Sequence, residues 1–179
     1  GDGPWLVDLS HKVRWDLQNG RLDEQKPLDL TIPASPGACT LAGDTLINRM
    51  NRTQAAICHL GTTASAMPAF SGYTDVTEAT LFLALCGPRA FAVAEKVTNL
   101  DLTDPAARPP FLLQGPFCHV PCQIVVLERG TDAYGGFLLT CSRGYGASMI
   151  HAVMRAGTAL GLRPAGEKRF SRWIQGLQV

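Results

Sequence analysis

A chain of 179 residues that is 46% apolar and 17% charged carries enough apolar material for a buried core and is not a disordered tail. Sixteen basic residues against fifteen acidic ones leave a formal net charge of +1 with no run of like charge. That balance excludes a basic nucleic-acid surface and a membrane-surface patch. The slightly positive mean hydropathy hints at apolar surface reserved for a partner.

No apolar run approaches the roughly 20 residues that span a bilayer. The opening "GDGPWLVDLSHKVRW" has no basic region followed by a long apolar one, so it does not read as a secretory signal. Of six cysteines, Cys58, Cys86, Cys122 and Cys141 sit in or beside apolar runs, where cysteine acts as a small buried hydrophobe. Reduced thiols and a cytoplasmic location are the simplest expectation.

The first 45 residues are polar and turn-rich, with short strands predicted at 5–9 and 28–32. "GDTLINRM" opens a short helix capped by Asp44. "TQAAICHL" reads as a strand and "GTTASAMPAFSGY" as a loop. "ATLFLALCG" has the continuous apolar character of a central strand covered on both faces. Gly87 makes the turn after it, and Pro88 suits the first helical position. The helix presents Phe91, Ala94 and Val97 on one face and ends near Asn99. "DLTDPAARPP" is a stiff connector. A strand at 122–128, a hairpin turn in "RGTDAYGG" and a return strand in "FLLTCSR" follow. A helix at 147–160 buries Ile150, Val153, Met154, Gly157 and Leu160 and stops at Gly161. A short helix closes the chain at 167–174. The order predicts an α+β fold, a mainly antiparallel sheet with helices packed on it. The texture divides near residue 72, into an N-terminal arm with first strands (1–72) and an α+β core (73–179).

"CHVPC" places Cys118, His119 and Cys122 within five residues, as zinc ligands would be. A structural zinc site needs four ligands and no second cluster has matching spacing, so no metal is assigned and the thiols read as a pair at a strand edge. "SRGYGASM" joins a strand to a helix. It is either a plain turn or an anion or cofactor contact through Arg143, Gly144 and Tyr145. It lacks the lysine of a phosphate loop and the triple glycine of a dinucleotide fingerprint. There is no nucleophile elbow, and His151 falls on the polar side of its helix. Asp101 sits in a turn just past a helix end. It either caps that turn or, as a catalytic carboxylate, pairs with an amine or assists proton transfer.

Three segments, in order, carry a resemblance to the folate-binding aminomethyltransferase superfamily, which includes the glycine-cleavage T-protein and the gamma subunit of heterotetrameric sarcosine oxidase. The first runs from Asp75 through "LALCGPRAF" to "KVTNLDL", the second is "VPCQIVVLERG" and the third is "MRAGTALGLRPAGEKRF". The resemblance makes Asp101 the counterpart of the T-protein's turn aspartate, with one residue added between "TN" and the acid. It puts Gly135 or Gly136 where that protein has a pterin-binding glutamate, a partner whose loss a hydrogen-bonding site tolerates badly. "WLVDLSHKVRW" also resembles the family's aspartate–serine–histidine strand. No glycine–proline turn or apolar helix follows it, so residues 74–85 take that place and 8–11 are set aside.

The resemblance implies a short, non-catalytic gamma-type subunit of a flavin-dependent oxidoreductase acting on N-methylated amines. Larger flavoprotein subunits would carry FAD, FMN and NAD, and tetrahydrofolate would accept the one-carbon unit. "PWLV" and "IPASPG" would belong to the docking arm. The alternatives are a stand-alone tetrahydrofolate-dependent aminomethyl or methyl transferase and a module that binds metal through "CHVPC".

Overall fold

The structure, a computed structural model, describes residues 3–70, 72–130 and 135–177. Along the chain these form β1 (Trp5–Asp8), β2 (Arg14–Gln18), β3 (Cys39–Ala42), β4 (Thr45–Arg49), β5 (Gln54–His59), β6 (Tyr73–Asp75) and β7 (Thr80–Cys86). They continue with α1 (Ala90–Ala94), β8 (Phe111–Phe117), β9 (Val120–Glu128), β10 (Gly136–Ser142), α2 (Gly146–Gly157), β11 (Arg163–Ala165) and α3 (Glu167–Gly176). One sheet has the order β11–β1–β7–β10–β9–β8 and the other β3–β4–β5–β2–β6. All pairings are antiparallel except β1 with β11. The α+β class with a mainly antiparallel sheet is the one the sequence predicts.

The continuous apolar run of β7 follows from its two covers. Leu81, Leu83 and Leu85 face a core shared with Val93 of α1 and Met149 and Val153 of α2. Phe82, Ala84 and Cys86 face the opposite core, built with Leu46 and Cys58 of the second sheet and with Phe170, Trp173 and Ile174 of α3. A period-2 strand with apolar residues at every position has no other way to hide both faces. The far face of the second sheet buries Trp15, Leu17, Ile47 and Ile57 under a segment that includes Leu22 and Ile32.

Several expected elements differ. Residues 28–32 are not a strand: 3-10 turns at Leu22–Glu24 and Pro27–Asp29 occupy the region, with Leu28 at φ 53°. The Asp44 helix is instead β4, because Gly43 at φ 56° reverses the chain and Thr45 pairs with Ala42. After Gly87, Pro88 lies ahead of the helix: Arg89 at φ 63° is its N-cap, and α1 stops at Ala94. The turns that follow are held elsewhere, with Cys118 N donating to Val97 O at 2.8 Å and Thr98 Oγ1 to Pro116 O at 2.7 Å. β2 and β8 have no counterpart in the sequence reading. The hairpin turn at residues 131–134 lies outside the described residues.

"PWLV", expected to lie open, is buried: β1 sits between β11 and β7, with Leu6 and Val7 in the two cores. The expected division at residue 72 crosses both sheets, since β1 belongs to the first and β6 to the second. The β1–β2 connection thus passes from one sheet to the other, and it brings residues 9–13 to the end of β5 and to α3.

Candidate functional site

Asp101 is exposed on the turn after α1, where its Oδ1 accepts from Thr103 N at 3.0 Å and from Thr103 Oγ1 at 3.1 Å. The carboxylate closes its own turn. Arg143, Gly144 and Tyr145 form a 3-10 turn leading into α2. The Arg143 guanidinium donates to Thr77 O at 3.1 Å and lies 3.6 Å from Glu78 Oε2, so it holds the start of β7. Asp101 and Arg143 are each tied to a different loop. Beside the Asp101 turn, a cleft of about 300 Å³ is walled by Arg89, Phe91, Glu95, Thr103, Arg129 and Gly135 among others. Arg129 fixes its rim by donating to the carbonyls of Thr103 and Asp104.

Cys118 and His119 form the two-residue turn between β8 and β9, at φ 50° and 65°. Such a turn needs positive φ at both central residues. Cys122 points into the core, where the Cys141 thiol of β10 acts on it more strongly than Cys118 does. The three residues of "CHVPC" therefore do not converge, and no group of three or more His, Cys, Asp or Glu suited to a metal occurs among the described residues.

The hairpin glycines bear on the folate question. A Cβ at Gly136 would lie 2.6 Å from Trp173 Cζ2, 2.8 Å from Cys86 Cβ and 2.9 Å from the Leu85 carbonyl oxygen. At Gly135 it would lie 2.7 Å from the Phe91 ring. The space of a side chain at either position is filled from neighbouring elements. The residues present do not fit a pterin recognised by a carboxylate from this hairpin.

A second constellation forms where the β1–β2 turn, the end of β5 and the start of α3 meet. His11, Lys12, His59, Gly61 and Glu167 line a cleft of about 160 Å³. Lys12 is only 4% exposed, and its ammonium donates to Gly61 O at 2.6 Å and to Glu167 Oε1. His11 Nε2 lies 3.1 Å from Glu167 Oε2. The bond from Lys12 holds the Glu167 carboxyl below the usual carboxylate range, with a smaller contribution from His11. His59 is 4% exposed. Its Nδ1 is 3.1 Å from Val13 O, and its ring meets Trp15 edge-on at a centroid distance of 4.4 Å. His59 Nε2 is buried with no hydrogen-bond partner. These residues come from three distant segments, so no spacing announces them. In the sequence "SHK" falls in a stretch set aside as fortuitous, and Glu167 falls in the third resembling segment with no role attached.

No family model matches the sequence. A curated aminomethyltransferase of Geobacillus thermodenitrificans (strain NG80-2) is 33% identical over 92 residues, which make up 51% of this chain and 24% of that protein. The match thus takes in about a quarter of the relative's length. Among solved structures, the heterotetrameric sarcosine oxidase from Corynebacterium sp. U-96 in complex with pyrrole 2-carboxylate has a chain that aligns with TM-score 0.68 at 12% identity. That alignment covers 89% of this chain and 86% of the other. The glycine cleavage system aminomethyltransferase T from Bartonella henselae aligns with TM-score 0.54 at 16% identity, over 92% of this chain and 48% of the other. At these identities the likeness is one of fold: the chain has the aminomethyltransferase-like α+β fold of these neighbours.

Proposed function

We propose that the chain is the non-catalytic gamma-type subunit of a flavin-dependent oxidoreductase complex of the sarcosine oxidase kind, acting on N-methylated amines. The observation that carries this reading is mutual coverage. The alignment takes in 89% of this chain and 86% of a chain from a heterotetrameric sarcosine oxidase, but only 48% of the aminomethyltransferase T. Larger flavoprotein chains hold FAD, FMN and NAD, and tetrahydrofolate takes the one-carbon unit elsewhere in the complex. The filled hairpin at Gly136 supports a fold kept without folate chemistry. Phe70, 74% exposed, and Met67, 41% exposed, lie on the loop before β6 and supply apolar surface for a partner. The complex works in the cytoplasm. No helix among the described residues is long and apolar enough to cross a membrane.

The test is purification of the tagged chain from its native cells at low salt. Co-elution of larger chains with flavin absorption and N-methyl amine oxidation is the expected result. A colourless chain eluting alone and binding tetrahydrofolate overturns it.

The second reading is a stand-alone tetrahydrofolate-dependent aminomethyl or methyl transferase. It draws on the 33% identity to the curated aminomethyltransferase. Asp101 would then assist proton transfer, and Arg143, Gly144 and Tyr145 would contact the cofactor. Turnover lost on Asp101→Asn would favour this reading.

A further inference from the structure

We propose that Cys122 and Cys141 are a dithiol that hydrogen peroxide oxidises reversibly to a cross-strand disulfide. The assignment rests on this chain's own strands and is independent of membership in an oxidase complex.

The backbone decides which thiols can pair. Cys122 lies opposite Gly115 of β8, and Cys141 lies opposite Leu81 of β7. The two-residue turn at Cys118 and His119 is closed by the Phe117–Val120 pair. Such a turn is closed by a hydrogen-bonded pair, and bonded pairs then recur at every second residue. Gly115–Cys122 is therefore a bonded pair, and the backbone groups of Cys122 point to β8. On the other side Leu9 N donates to Phe82 O at 2.8 Å, so Phe82 bonds toward β1. Its neighbour Leu81 then bonds toward β10, and the backbone groups of Cys141 point to β7. Cys122 and Cys141 thus face each other across β9 and β10 as a non-hydrogen-bonded pair, one step beyond Thr140–Gln123.

That is the pair type whose side chains stand closest. Its Cα atoms lie about 4.5 Å apart, inside the ~4.4–6.8 Å that a disulfide spans. Both side chains are on one face, in the core shared with α2. Cys118 lies in the turn itself and has no strand partner.

The pair also sits where the ladder ends. Pro121, due to donate next, has no N–H, and the pairing of β9 with β10 stops at Thr140–Gln123. Both cysteines border a surface cleft of about 400 Å³ there, together with Gln123, Thr140 and Ser142. An oxidant of two oxygen atoms is little larger than water, whereas 5% exposure at each cysteine shuts out bulkier reagents.

The two thiols have different roles. The neighbouring Cys122 thiol lowers the pKa of Cys141, while Cys122 is pushed up by Cys141 and by burial. Cys141 is therefore the attacking thiolate. Its sulfur bonds to one peroxide oxygen as the O–O bond breaks, and the departing hydroxide takes up the thiol's proton as water. The product is a sulfenic acid. The Cys122 sulfur then attacks the Cys141 sulfur, the S–O bond breaks, and the hydroxide leaves with the Cys122 proton as a second water. Two thiols lose two electrons and one peroxide gains them. Among reduced cellular thiols such a bond is transient and redox-sensing rather than structural.

The experiment treats the reduced full chain with hydrogen peroxide under native conditions near neutral pH. Remaining thiols are blocked with a maleimide in denaturant, and peptides are mapped by mass spectrometry before and after dithiothreitol. The expected product is a Cys122–Cys141 link within one chain that takes the free thiols from six to four and reverts with dithiothreitol. Because it ties β9 to β10 and constrains the unfolded chain, it should raise the thermal midpoint. In Cys122→Ala the product should be a Cys141 sulfenic acid, trapped by dimedone, and in Cys118→Ala the link should form at the parent's rate. A link through Cys118, a link between two chains, or a link formed only in denaturant overturns the proposal. So do Cys122 and Cys141 thiols that both remain free in excess peroxide.

Discussion

Arg14 Nη1 donates to the Lys12 carbonyl at 2.6 Å, so the residue with the buried ammonium hangs from a guanidinium that is itself buried. Among the described residues Arg14 has no ion-pair partner. It donates instead to Thr77 O at 2.8 Å, to Thr80 O at 2.9 Å, to the Thr80 hydroxyl and, at longer range, to Leu9 O and Ser10 O. Its guanidinium also lies 4.8 Å from the centre of the Phe82 ring. Burial lowers its pKa, but a guanidinium keeps its proton in proteins. Because Arg14 belongs to β2 and its acceptors flank β1 and β7, this one side chain couples the two sheets and sets the position of the Lys12 cleft.

Replacing Arg14 should therefore cost more than a surface arginine would. Arg14→Leu leaves several carbonyls without their donor. Each buried unsatisfied group costs about 1–3 kcal/mol, so a loss of about 3 kcal/mol or more is expected. Arg14→Lys keeps the charge but not the planar fork and should lose about half as much. Urea unfolding of the two variants beside the parent measures this. A midpoint unchanged in Arg14→Leu would show that water replaces the guanidinium.

Gly136 gives a test of the non-catalytic reading. An added methyl meets Trp173, Cys86 and the Leu85 carbonyl, all within 2.9 Å. Gly136→Ala should destabilise by about 1–3 kcal/mol through overpacking. Gly136→Glu should not create tetrahydrofolate affinity, because the space for the carboxylate is already occupied. Thermal unfolding and calorimetry with tetrahydrofolate check both, and folate binding gained in Gly136→Glu would remove this support.

Acid should weaken the fold through Glu167 and Asp75. The bond from Lys12 lowers the folded pKa of Glu167, and the hydrogen bonds from the Thr77 hydroxyl and amide lower that of Asp75. A depressed carboxyl stabilises fully above its unfolded value, about 4.3 for Glu and 3.9 for Asp, and the stability is lost as pH falls through the folded value. Urea midpoints should therefore fall as pH drops from about 5 toward 2, and Glu167→Gln should flatten that slope. A parallel slope in the variant would mean that the Lys12 pair is no stronger folded than unfolded.

How much of this was legible depended on how local the cause was. β7 and α2 could be read because a continuous apolar run and a helical repeat are each sufficient in themselves. β4 was misread as a helix because Asp44 is a fair N-cap, whereas the Gly43 turn and pairing with β3 decide the matter. β8 was missed because "FLLQGPF" follows two prolines and contains a third. As an edge strand it tolerates proline, and β9 supplies its ladder. Asp101 was recognisable as a turn residue because its bonds reach only two positions ahead. The Lys12 cleft was not recognisable, since its parts are brought together only by two sheets and a C-terminal helix.

The cysteines set acidity against access. The next pair in register beyond Thr140–Gln123 places Cys141 opposite Cys122. The neighbouring Cys122 thiol lowers the pKa of Cys141, while Cys122 is itself pushed up by Cys141 and by burial. By acidity alone Cys141 should react first. It is 5% exposed, however, and Cys58 and Cys86 are both buried and pushed up to about 12. Access should win. Native labelling with a maleimide near neutral pH, read by mass spectrometry, should modify the half-buried Cys118 and Cys39 slowly. Cys58, Cys86, Cys122 and Cys141 should stay protected until denaturant opens the cores. Early labelling of Cys141 would instead mean that the end of β10 opens locally, well below the free energy of global unfolding.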